Sequence, residues 1–187
     1  MKESFLDYLD EIDGLDPKRF VFVDEAAANY HLVRTEGRAA KGKRVYGRRP
    51  HQRGKRISML GALGFLGLVT GMFWEDYVDA EAFELFVKDY LLPNVKPGDI
   101  VIWDNYSVHK RYEHEKMLNE KGVYLLFLPP YRPELSPIEQ CWSKIKAIMR
   151  SAAATTVDGL YNAFCEGYLA VAAENAQGWF RGCGYCA

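Results

Sequence analysis

The spacing of apolar residues changes period several times along this chain, and each change predicts an element. Residues 3–12 place Phe5, Tyr8, Leu9 and Ile12 at helical spacing among acids, and Gly14 and Pro17 close the run. This predicts an amphipathic lead-in helix within residues 1–19. From Arg19 to Asp24 the pattern becomes unbroken, with Phe20, Val21, Phe22 and Val23 forming a β-prone run of the kind buried on both faces. The predicted strand stops on the acidic pair Asp24 Glu25. Ile57 to Trp74 carries no charge and approaches the length of a membrane span. Gly61, Gly64, Gly67 and Gly71, flanked by Ser58 and Thr70, predict instead two short buried strands with a turn near Gly67.

Further on, Asp79 caps a predicted helix whose apolar positions Ala82, Phe83, Phe86, Val87, Tyr90 and Leu91 persist until Pro93 ends it. Ile100 to Trp103 is a second continuous apolar strand, and it too ends on an acid, Asp104, followed by Asn105. A helix from His109 to Glu120, closed by Gly122, leads to a strand over Val123 to Leu128. Three prolines hold Pro129 to Leu135 extended. Ser136 then caps a helix with Pro137 at its first position and Ile138, Trp142, Ile145 and Met149 as its buried stripe. A last helix is predicted over Val157 to Ala173, followed by a tail ending in Cys183 Gly184 Tyr185 Cys186.

A chain of 187 residues buries one sizeable core, so one domain is expected over residues 20–187. The net charge of −1 excludes both a globally basic coat and an acidic disordered tail, but the charge is unevenly placed. Residues 34–56 form a basic insertion containing Arg34, Arg38, Lys41, Lys43, Arg44, Arg48, Arg49, Arg53, Lys55 and Arg56 against Glu36 alone. Such a run, interleaved with Tyr46 and His51, suits phosphate-backbone contact; taken alone it also fits a solvated loop. Four sparse cysteines and the absence of a signal peptide predict a reduced, cytoplasmic protein with no membrane partner. Cys183 and Cys186 have redox spacing without a second pair to complete a zinc site, and packing or a spare thiol pair is the simpler reading.

Two apolar strands that each end in aspartate would, if neighbours in one sheet, set two carboxylates side by side. Ionised acids in that arrangement need a cation between them or one shared proton. An all-oxygen set suits Mg2+ or Mn2+ rather than zinc. Glu139, in the first turn of the helix after the next strand, is a natural third ligand. Read singly, Asp24 and Asp104 are also ordinary strand-ending turn residues. Ser136 and Glu139 also have the spacing of a capping box, which would turn the glutamate back onto its own helix. Glu25, sent to the opposite face by strand alternation, is expected to support the site or pair with an arginine. His109 reads as a helix-start residue near the site.

These residues resemble the three acidic motifs of the mariner-like DDE transposases of bacterial insertion sequences: Asp24 after a hydrophobic strand, Asp104 Asn105 with His109 following, and Ser136 Pro137 Ile138 Glu139 ahead of Trp142 and Lys146. The 34 residues between Asp104 and Glu139 agree with that superfamily. The resemblance implies an α/β, RNase H-like fold, a central mixed sheet flanked by helices, with Asp24, Asp104 and Glu139 as catalytic metal ligands. It also implies two Mg2+ or Mn2+ ions, roughly 3.5 to 4 Å apart, activating a water or a 3′-hydroxyl for in-line attack on DNA. On the Glu139 helix, Lys146 and Arg150 would aim positive charge at the duplex.

The partners so implied are double-stranded DNA at transposon ends and target, and a second copy of the chain. Relatives carry helix-turn-helix modules ahead of the catalytic domain, whereas 23 residues precede Asp24 here, so end recognition is expected either to come from a separate helix-turn-helix chain or to be lost in a truncated copy. When DNA-bound the protein would be nucleoid-associated. An idle or domesticated nucleic-acid-binding remnant and a hydrolytic nuclease of the same fold are the alternatives.

Overall fold

The computed structural model describes residues 2–29, 32, 37–46, 56–104 and 112–186. At its centre, β1 (Phe20–Asn29) begins where the apolar run predicts, but it continues through Asp24 and Glu25 to Asn29 instead of stopping there. Ala26, Ala27 and Ala28 are poor strand formers, and what keeps them extended is pairing. The antiparallel partner β2 (Arg56–Gly64) matches β1 from Val21↔Gly64 to Asn29↔Arg56.

The uncharged stretch folds as the glycines require, into β2 and β3 (Gly67–Glu75) joined by a two-residue turn. Gly67 at the exit of that turn has φ +128°, a conformation that side chains rarely adopt. On the other side of β1, β4 (Ile100–Trp103) and β5 (Tyr124–Phe127) run parallel to it, giving the order β3-β2-β1-β4-β5. Among the described residues no helix is long and apolar enough to cross a membrane.

Strand alternation divides the core in two. Phe20, Phe22, Met59, Leu63 and Ile102 face α1 (Lys2–Ile12), α5 (Pro137–Ala152), α6 (Val157–Leu169) and α7 (Ala173–Gly182). Val21, Val23, Leu60, Val101 and Trp103 face α2 (Ala80–Leu85) and its continuation, together with Leu118 of α4 (Tyr112–Glu120). The mixed sheet flanked by helices is thus the observed architecture. Residues 109–111, where the helix before β5 was expected to start, lie outside the described residues.

Two helical predictions change. Pro93 does not end the α2 run: the helix widens into a π segment (Phe86–Leu91) and continues through α3 (Leu92–Asn94). Proline cannot donate to the preceding turn and its ring crowds the carbonyl four residues back, and the wider turn relieves that crowding. The Asn94 side chain meanwhile donates to the Tyr90 carbonyl at 2.8 Å.

The C-terminal segment, expected as one helix and a tail, is two helices. The break at Ala170–Ala172 is held by Lys144 of α5, whose Nζ donates to Ala170 O and to Asn175 Oδ1, both at 2.6 Å. That contact lies 26 and 31 residues away in sequence, so local periodicity does not contain it.

In the terminal Cys183 Gly184 Tyr185 Cys186, Cys183 and Tyr185 are buried and Cys186 is exposed, and all four cysteines of the chain are free thiols. Tyr185 meets Phe22 at 5.1 Å and Phe20 at 5.6 Å between ring centroids. Its hydroxyl donates to the Leu135 carbonyl at 2.7 Å and accepts from Tyr8 at 2.8 Å, tying α1 and the chain end to the approach of α5. Tyr185→Phe is expected to cost about 1–2 kcal/mol, because it removes a buried donor and strands the Tyr8 hydroxyl. A urea titration should show this as a lower midpoint with an unchanged slope.

Candidate active site

The parallel pairing of β1 with β4 ends at Val23↔Trp103. The next residue on each strand is an aspartate, so Asp24 and Asp104 occupy neighbouring positions at the carboxyl end of the parallel pair. Both are in phase with Phe22 and Ile102, which places them on the α5 side of the sheet.

Helix α5 brings the third acid. After β5, the chain passes Pro129 to Leu135 and enters the helix with Ser136 at the cap position. The Ser136 side chain makes no capping hydrogen bond, and the only cap contact of Glu139 is its own N–H on the Ser136 carbonyl, at 3.2 Å. The reciprocal capping box that would have absorbed Glu139 is therefore not formed. Its carboxylate sits exposed in the first helical turn, where the helix dipole favours negative charge.

Asp24, Asp104, Ser136 and Glu139 border one cavity of about 420 Å³, whose lip is the Pro129–Pro133 segment. The acids share this space without closing on a point: among the described residues no group of three or more His, Cys, Asp or Glu side chains stands ready to hold a metal ion. Burial raises the Asp24 carboxyl to about 7, with the charges of Glu139 and then Asp104 adding to it; the Glu25 backbone and the Trp142 indole pull it down. Asp24 is half-buried, while Asp104 and Glu139 are exposed.

Trp142 is the site residue that the sequence did not reveal as such. It is core, as its place in the α5 stripe predicts, but its Nε1 also donates to Asp24 Oδ2 at 3.0 Å. The available signal was its position three residues after Glu139, on the same side of the helix.

Residues 19–160 match the DDE superfamily endonuclease family. The chain belongs to that family. No curated protein sequence is similar enough to count as a match. Among solved structures, the Mos1 strand transfer complex is similar with a TM-score of 0.72 at 18% identity, covering 97% of this chain and 56% of that one. The Mos1 mariner paired end complex with Mn gives 0.70 at 16%, covering 97% and 57%. The catalytic domain of Mos1 mariner transposase alone gives 0.58 at 14%, covering 97% and 83%. The sheet and its helices are thus the RNase H-like fold, and the chain spans under three-fifths of the length of the Mos1 chains in those complexes.

The remaining residues singled out in the sequence fall in several places. Glu25, on the opposite face from Asp24, accepts from Arg56 at 3.2 Å and from Ser58 Oγ at 2.9 Å. Arg56, counted with the basic run, is thereby held, and its guanidinium also lies 4.3 Å from the Tyr77 ring centroid. Arg38, Lys41, Lys43 and Arg44 are exposed and outside helix or strand. Lys146 is half-buried on α5. Burial lowers its ammonium, Glu139 and Asp24 oppose that shift, and Arg150 and Arg56 reinforce it, so Lys146 stands within electrostatic reach of both acids and of both arginines. Arg34, Arg48, Arg49, Arg53, Lys55, Asn105 and His109 lie outside the described residues.

A carboxyl raised in the folded state from 3.8 to about 7 favours folding most below about pH 4, and that contribution disappears as the pH rises through about 7. In metal-free buffer, the stability of the wild type relative to Asp24→Asn should therefore fall between pH 4 and 7 and level off above. Partial solvation through the cavity limits the change to about 1–2 kcal/mol. A stability difference between the two proteins that stays constant from pH 4 to 7 in denaturant titrations would contradict this.

Proposed function

We propose that this chain is the catalytic domain of a transposase that cleaves DNA at transposon ends and joins the cut ends to target DNA, with Asp24, Asp104 and Glu139 holding divalent cations. The carrying observation is the β1–β4 register, which sets two aspartates side by side on the cavity that Glu139 borders from α5. Neighbouring structures are described as a pre-cleavage transpososome and a strand transfer complex, and others contain Mn or Mg. Those names support DNA as substrate and a divalent ion as cofactor.

The donor set fits such an ion. It is all oxygen, and burial, with the charges of Glu139 and Asp104 adding to it, raises the Asp24 carboxyl to about 7. Asp24, Asp104 and Glu139 would hold two Mg2+ or Mn2+ ions, which would supply Lewis-acid activation of the phosphodiester and of the attacking hydroxyl.

The protein's own contribution is placement. Asp24 is fixed by the sheet and the indole, Glu139 is presented at a helix start, and Lys146 and Arg150 line α5 beyond it, where they attract the phosphate backbone. The exposed Arg38, Lys41, Lys43 and Arg44 extend that field. Two copies of the chain serve the two ends, and the work is done in the cytoplasm on nucleoid DNA.

Incubating the protein with supercoiled plasmid and Mn2+ should give nicked circles, and Asp104→Ala should reduce nicking to background. Precut ends should become joined to plasmid. Binding without nicking would mark an idle nucleic-acid-binding domain, and nicking without joining a hydrolytic nuclease. Replacing Lys146 and Arg150 by alanine should weaken binding to any sequence and flatten its salt dependence by about one unit per lost phosphate contact.

A further inference from the structure

Asp24 lies opposite Gly61 in the β1–β2 register, and both face α5. A Cβ on Gly61 would stand 2.7 Å from Cη2 and 3.0 Å from Cζ2 of Trp142, inside the closest approach of real side chains. The ring therefore approaches β2 this closely only because residue 61 is glycine. From that seat its single donor reaches Asp24 Oδ2 at 3.0 Å, and the ring is 2% exposed. The side chain, its floor and its acceptor form one unit drawn from α5, β2 and β1.

We propose that Trp142, seated on Gly61, is a positioning residue that fixes the carboxylate plane of Asp24 for cation binding. The inference rests on the assignment of Asp24 as a ligand.

The last torsion of an aspartate is soft and broadly two-fold, so an untethered carboxylate would rotate as its neighbours repel it. The indole hydrogen bond to Oδ2, alongside the Glu25 backbone donor, restricts that rotation. The choice of donor matters. An arginine or lysine at this place would fix the acid but also cancel its charge and repel the cation. An indole N–H is neutral, donates only, and does not titrate. It orients the ligand while leaving the negative charge to the metal, the arrangement through which outer partners tune metal sites.

The test is Mn2+ binding to the full chain, read from the paramagnetic resonance of free Mn2+ and needing no DNA. Trp142→Phe keeps the aromatic packing and removes the donor, and its dissociation constant should rise about tenfold or more. Gly61→Ala keeps the tryptophan and all three acids but displaces the ring, and should weaken Mn2+ similarly; it carries the test even where Trp142→Phe does not fold. In an Asp24→Asn background, Trp142→Phe should add nothing.

Melting temperatures measured alongside separate packing from positioning. Wild-type Mn2+ affinity in folded Trp142→Phe and Gly61→Ala would overturn the positioning role while leaving the site assignment standing. A wild-type protein that binds no Mn2+ sensitive to Asp104→Ala would overturn both.

Discussion

Two like charges set side by side by a strand register are the constraint around which the rest is built. Once β1 and β4 run parallel and end their pairing at Val23↔Trp103, the next residues, Asp24 and Asp104, become neighbours whatever their charges prefer. Glu139 then approaches from α5 and adds to the repulsion. A fold selected only for stability would neutralise one of these acids. Here a five-stranded sheet, buried on both faces by helices, carries the unfavourable contact, which a cation in the cavity would relieve.

Helix α5 connects that contact to the core. Ile138, Cys141, Trp142, Ile145 and Met149 are buried against the sheet, fixing the rotation and depth of the helix. With the helix so fixed, Glu139 has one place to be, and Lys146 and Arg150 follow along the same side. The approach to the helix is itself restrained: three prolines stiffen it, and Tyr185 from the chain end holds its last carbonyl. Lys144, on another side, pins the junction of α6 and α7. One helix thus supplies core packing, the third acid and nearby cations, so packing changes on α5 are felt at the site.

The glycines of the uncharged stretch show two different demands in one segment. Gly67 is required by its own backbone angle, which a hairpin of this length imposes. Gly61 is required by a partner 81 positions later in the chain, the Trp142 ring above it. The first demand is local and readable from sequence. The second exists only after α5 has docked.

Much of this was legible in the chain itself. Unbroken apolar runs gave the strands, because a buried strand shows no alternation, and the spacing of Asp24, Asp104 and Glu139 marked the acids, because chemistry at a sheet edge needs charge directly after an apolar run. Local pattern failed where a distant contact overrode it. β1 runs past its acids because β2 pairs with its alanines, the last helix breaks because Lys144 holds the break, and Glu139 leaves its capping box unformed. The sequence by itself determined which residues could meet, since periodicity and turn chemistry act within a few positions. Only the tertiary structure decided which did meet and how Asp24 is held, because the register, the docking of α5 and the seat of an indole on a glycine depend on surfaces brought together from across the chain.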